Sequence, residues 1–96
     1  IKKENSEDLH YLKLDKGYFS IINRKKDIGI KFNFDANIFR YILFWKSLGW
    51  WRSHYCLGLE NWSGYPIKLS EAVKKGVYTT LGSKDIIETN VKIGII

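Results

Sequence analysis

An all-β fold, an antiparallel β-sandwich with one short helix, is what the sequence predicts, and three observations predict it. Short runs of branched and aromatic residues recur along the chain, with apolar positions alternating at the two-residue period of a strand. Turn-forming clusters separate them: Asp15-Lys16-Gly17, Arg24-Lys25-Lys26-Asp27, Asp35-Ala36-Asn37 and Gly82-Ser83-Lys84-Asp85. A regular alternation of strands with long amphipathic helices is missing, which excludes a doubly wound parallel sheet.

The elements follow in order. Residues 1–8 are charged and aperiodic and read as a loose N-terminal segment, leaving 9–96 as one folded unit. Leu9 to Leu14 is a weakly alternating strand with Leu12 and Leu14 on one face. Gly17 supplies the positive φ that a tight turn uses. Tyr18 to Asn23 and Ile28 to Phe34 form a hairpin across the charged turn, and Ile28, Ile30, Phe32 and Phe34 share one side. Phe39 to Lys46 is dense in aromatic and branched residues and predicts a central strand covered on both faces. Ser47 to Ser53 is a loop, His54 to Glu60 a strand, and Asn61 to Leu69 a long loop with the only proline, Pro66. Ser70 caps a short helix to Lys75, which Gly76 stops. Val77 to Leu81 and Ile86 to Ile95 close the fold as a hairpin.

Composition narrows the function classes. The chain is 45% hydrophobic and 27% charged, the balance of a folded domain rather than a disordered one. No apolar run approaches the roughly 20 residues that span a bilayer, so no membrane partner is expected. One cysteine, Cys56, forms no intrachain disulfide, which with the lack of a recognisable signal peptide points to a reducing, cytoplasmic location. The net charge of +6 raises nucleic acid as a partner. The lysines fall in pairs and triplets at turns rather than on one segment, which reads as a solvated surface and ranks nucleic acid last.

The chemistry concentrates between Phe44 and Gly76. Glu60 ends a strand, with Trp45, Trp50, Trp51, Trp62 and Tyr65 around it and Arg52 and His54 as nearby cations. Sugars are recognised by such a mixture: C–H faces pack on aromatic rings, and hydroxyls bond to carboxylate, guanidinium and imidazole groups. A carboxylate set against aromatic walls loses solvation and becomes a better base. Glu60 is therefore the acid–base candidate, and the other seven residues are the candidate sugar contacts. Structural alternatives stand beside these readings: Trp45 as core, Glu60 as a solvated or ion-paired side chain, Cys56 as an inert core thiol. His10 and His54 lack metal-ligand spacing, and no P-loop, dinucleotide fingerprint or nucleophile elbow occurs, so neither metal nor cofactor is expected.

Four pieces occur in order: Leu43-Phe44-Trp45, Leu48-Gly49-Trp50-Trp51, Leu57-Gly58-Leu59-Glu60 and Gly64-Tyr65-Pro66. They are followed by Leu69-Ser70-Glu71-Ala72-Val73-Lys74-Lys75-Gly76. Together they resemble the C-terminal end of the aldose 1-epimerase (galactose mutarotase-like) superfamily. The resemblance implies that 9–96 is the C-terminal part of a β-supersandwich, acting on an aldose or a derivative. It implies that Glu60 takes the proton from the anomeric hydroxyl while a histidine protonates the ring oxygen. Asn61 stands where one branch of the family has proline. Neither His10 nor His54 falls on the family's histidine motif, so the resemblance implies an incomplete site, and the start at Ile1 is read as a cut or processed end. Half a sandwich exposes an apolar face, which calls for the remaining N-terminal strands or for self-association. The alternative reading is a non-catalytic carbohydrate-binding sandwich.

Overall fold

A computed structural model describes residues 6–96. They form two three-stranded antiparallel sheets and one short helix, so the fold is all-β as the sequence predicts. The strands are β1 (Ser6–Lys13), β2 (Tyr18–Asn23), β3 (Ile28–Asn33), β4 (Tyr41–Leu48), β5 (Tyr55–Trp62) and β6 (Lys92–Ile95); the helix α1 is Leu69–Lys75. One sheet has the order β1-β4-β5 and the other β2-β3-β6, so the chain passes between sheets three times. Among the described residues no helix is long and apolar enough to cross a membrane.

The hairpin β2–β3 is the element most directly written in the sequence. Asn23 Oδ1 accepts the amides of Lys25 (3.1 Å) and Lys26 (3.2 Å), and Asp27 takes a left-handed φ of 51° to close the turn. Gly17 serves its turn for another reason than the expected one. It has no left-handed φ; a Cβ there would instead overlap the carbonyl oxygen of Phe34, whose amide donates to Gly17 O at 2.9 Å. Asp35 Oδ1 accepts the Asn37 amide at 2.9 Å and breaks the chain before β4.

Strand β4 is central and covered on both sides, since Ile42 and Leu43 point to opposite faces and each is 2% exposed. With Ala72 they are the only fully buried apolar residues described. At one end the two sheets approach each other. Leu12, Leu14, Ile42, Phe44 and Leu59 there look onto Phe19 and Ile21 across a gap of about 240 Å³. Phe19 stacks on Phe32 at 4.5 Å and meets Phe34 at 5.8 Å, which links the hairpin to the turn below.

Several boundaries differ from expectation. β1 begins at Ser6, so Ser6–Asp8 belong to the sheet rather than to a loose end; residues 1–5 lie outside the described residues. Ser47 and Leu48 continue β4, and Asn61 and Trp62 continue β5, because each residue finds a ladder partner in the other strand. Lys68, not Ser70, is the N-cap of α1, without a side-chain cap bond. Gly76 does end the helix, at φ 70°. Residues 77–81 form no strand. Val77 O takes the Tyr65 amide and Tyr78 O takes Arg40 Nη2, so this segment pairs with the loop beside it and not with a sheet edge. Of the expected strand from Ile86 to Ile95 only Lys92–Ile95 forms, paired with β3.

Candidate functional site

Strand register decides which side chains share a face. Leu43 lies opposite Tyr11 on one side and Glu60 on the other. The neighbouring rows on that face are Lys13–Tyr41–Trp62 and Leu9–Trp45–Gly58. The face turned away from the second sheet therefore carries Glu60, Trp45, Trp62, Tyr11 and Tyr41 together. The loop after β5 folds back over one end of it. Tyr65 there packs edge-on to Tyr11 at 4.6 Å and stacks on Tyr41 at 5.3 Å. Lys75 Nζ sits 5.6 Å from the Tyr65 ring centre, a cation–π contact from the end of α1.

Glu60 stands between the two indoles. Its Oε2 accepts the Trp62 Nε1 proton at 2.9 Å. The space above Gly58 is shared by the Trp45 ring and Glu60 Oε1: a Cβ added there would lie 3.1 Å from Trp45 Cε3 and 3.6 Å from Oε1. Glycine at 58 thus leaves room for the ring and the carboxylate side by side. Oε1 accepts no hydrogen bond from the described residues. Trp45 is held in turn by donating Nε1–H to Glu7 Oε2 at 2.8 Å. Two indole–carboxylate pairs therefore fix two half-buried aromatic rings on one sheet face, with one carboxylate oxygen left to accept a hydroxyl.

Of the eight residues that sequence reasoning assigned to the site, the structure brings Glu60, Trp45, Trp62 and Tyr65 together and sets four apart. Trp50, Trp51, Arg52 and His54 form the tip of the β4–β5 hairpin. Strand β5 starts at Tyr55, five residues before Glu60, and at about 3.3 Å per residue the tip lies more than ~16 Å from the carboxylate. There Arg52 lies over Trp51 at 5.6 Å and His54 packs on it at 5.3 Å. Arg52 and Ser53 both take left-handed φ values, 49° and 61°. Glu60 does not end its strand, and Trp62 is a strand residue rather than a loop one. Glu60 is also exposed, so the loss of solvation expected of it is not found in the described residues.

Tyr11, Tyr41 and Glu7 belong to the site and were missed. Leu9, Tyr11 and Lys13 alternate in the sequence and are the signal for Tyr11, in the phase opposite to that of Leu12 and Leu14. No histidine shares this face: His10 is on the opposite side of β1, 6.4 Å from the Phe44 ring, and His54 is at the hairpin tip. Cys56 is half-buried on the same face as Glu60, two rows away. Among the described residues no three His, Cys, Asp or Glu side chains come together as a metal site.

No protein-family model, curated protein or solved structure matches this chain.

Proposed function

We propose that the face carrying Glu60 contacts a sugar, and that the chain is the C-terminal part of an aldose 1-epimerase-like protein. In this reading Glu60 Oε1 takes the proton from the anomeric hydroxyl. The C1–O bond of the ring breaks as C1 becomes a carbonyl, and the ring oxygen takes a proton from a general acid. Rotation about C1–C2 and the reverse steps close the other anomer. The observation that carries the proposal is the juxtaposition of one exposed carboxylate with the half-buried rings of Trp45, Trp62 and Tyr65 on one sheet face. Such a surface offers a ring to pack on and an acceptor for a hydroxyl.

Neither His10 nor His54 lies on this face, so the histidine acid that the resemblance implies is not supplied by the described residues. The same observation supports a second reading, a non-catalytic carbohydrate-binding sandwich that uses Glu60 as a hydrogen-bond acceptor only.

One set of measurements separates the two. Titrating aldoses against tryptophan fluorescence is expected to give saturable binding. Glu60→Gln removes a charged hydrogen bond of about 1.5–3 kcal/mol and weakens binding roughly tenfold to hundredfold. Anomer exchange is then followed by NMR with imidazole added as the missing acid. The epimerase reading expects the chain plus imidazole to outpace imidazole alone, and Glu60→Gln to abolish the gain. Binding without that gain leaves the binding module. A flat response across the whole aldose panel removes both.

A further inference from the structure

We propose that the sugar taken by the Glu60 face carries one negative group, a phosphate or a carboxylate, away from its anomeric carbon, and that Lys13 and Lys75 hold that group. The inference rests on the sugar reading of Glu60 and names the class of sugar.

Register sorts the charges of the face. Its strand positions hold two carboxylates, Glu7 and Glu60, and one cation, Lys13. Each carboxylate is taken by an indole, Glu7 by Trp45 and Glu60 by Trp62. Lys13 stands instead at the far end of β1 from Glu7, beside Tyr41, and Tyr65 stacks on Tyr41 at 5.3 Å. Lys75 reaches the same stack from α1, with Nζ 5.6 Å from the Tyr65 ring centre. Two ammonium groups therefore border one pair of tyrosine rings.

Neither lysine has an anionic partner. Among the described residues the one ion pair is Lys46–Asp8, on the other side of the same sheet. A cation–π contact engages the charge of Lys75 but accepts none of its N–H donors. Arg40, next to Tyr41 in the chain, is already occupied, since its Nη2 bonds Ser63 O and Tyr78 O. The end of α1 favours a cation at Lys75 for its own sake; strand β1 gives Lys13 no such reason. Glu60 and Lys13 are two strand spacings and two residues apart, about 12 Å between Cα atoms. The glutamate and the longer lysine side chain narrow that gap to the width of one sugar ring with a charged substituent.

Coulomb forces then orient the ring. A negative substituent laid beside Glu60 is repelled, and laid beside Lys13 and Lys75 it is attracted. Only one direction along the face satisfies both, and it leaves the anomeric hydroxyl at Glu60 Oε1. A neutral sugar gains nothing from either lysine's charge.

Calorimetric titration at low and at physiological salt tests this. Glucose, galactose and mannose are each offered as the neutral sugar, the 6-phosphate and the 6-carboxylate. At low salt at least one charged form is expected to bind about fivefold or more tighter than its neutral parent, and added salt narrows the difference. Which charged form gains names the group. Lys13→Gln and Lys75→Gln, both at exposed positions, each lower the ratio of charged to neutral affinity. Lys31→Gln, on the other sheet, leaves that ratio intact. Equal affinity for charged and neutral forms overturns the proposal while the sugar reading stands. So does a preference that survives both substitutions, or inorganic phosphate that binds as tightly as the 6-phosphates. Binding of no sugar, charged or neutral, removes the reading of Glu60 itself. The wild-type comparison alone decides if either lysine variant unfolds.

Discussion

Ser47 shows how much one small side chain settles. It is 1% exposed, and its hydroxyl donates to His54 O at 2.9 Å while accepting the Trp51 amide at 3.3 Å. The same His54 carbonyl takes the Gly49 amide at 3.0 Å. The hydroxyl thus ties both arms of the β4–β5 tip and holds two left-handed residues, Arg52 and Ser53, that cost of order 1–2 kcal/mol each if unsupported. Ser47→Ala leaves the Trp51 amide without that partner and is expected to lower stability by about 1–2 kcal/mol. Urea melts would read this as a lower midpoint at unchanged slope; a midpoint equal to wild type would show that the hydroxyl is idle. The sequence predicts a loop at this residue, because serine favours loops and nothing local announces a buried hydroxyl. Glu60, Trp45, Trp62 and Tyr65 were legible as a group, because a carboxylate among aromatic residues is a property of composition over a short stretch. Tyr11 and Tyr41 were not, because their place beside Glu60 depends on register between strands distant in sequence.

Elements were readable where local rules act alone. The β2–β3 hairpin declares itself through alternation and an Asn-led turn, and β4 through its run of branched and aromatic residues. The stop of α1 at Gly76 follows from the one residue type that takes φ 70° without strain. A Cβ at Gly76 meets nothing within 4 Å, so the cost of Gly76→Ala is purely conformational. It is expected near 1–2 kcal/mol, with Gly76→Asn closer to wild type because asparagine tolerates the left-handed region. Thermal melts of the two variants check the order; equal losses would mean that contacts rather than backbone set the cost. Legibility failed after Gly76. Val77 to Leu81 alternates like a strand, but alternation supplies no partner. The carbonyls of Val77 and Tyr78 are taken by Tyr65 and Arg40, and no ladder is left to form. Arg40 Nη2 bonds Ser63 O and Tyr78 O at 3.0 and 3.3 Å, a clamp between two loops that has no signature in either.

At the scale of the whole molecule, order is distributed unevenly, and hydrogen exchange should map it. The β1-β4-β5 sheet holds Ile42, Leu43 and Ser47, all close to fully buried, with ladder bonds on both sides of β4. The β2-β3-β6 sheet has only a four-residue third strand and an open apolar side. Between α1 and β6 the chain runs from Thr79 to Val91 with every residue exposed. Its backbone is held there chiefly by the Gly82–Asp85 turn, where Gly82 donates to Asp85 Oδ2 at 3.0 Å and Asp85 to Gly82 O at 3.1 Å. Amides open locally with free energies that follow burial and hydrogen bonding. The amides of Ile42 to Ser47 are therefore expected to exchange slowest, at the rate of global unfolding. Those of Thr79 to Val91, apart from Gly82 and Asp85, are expected to exchange near the rate of an unprotected chain. The β3 and β6 amides fall between. Equal protection of β4 and β6 would contradict that hierarchy.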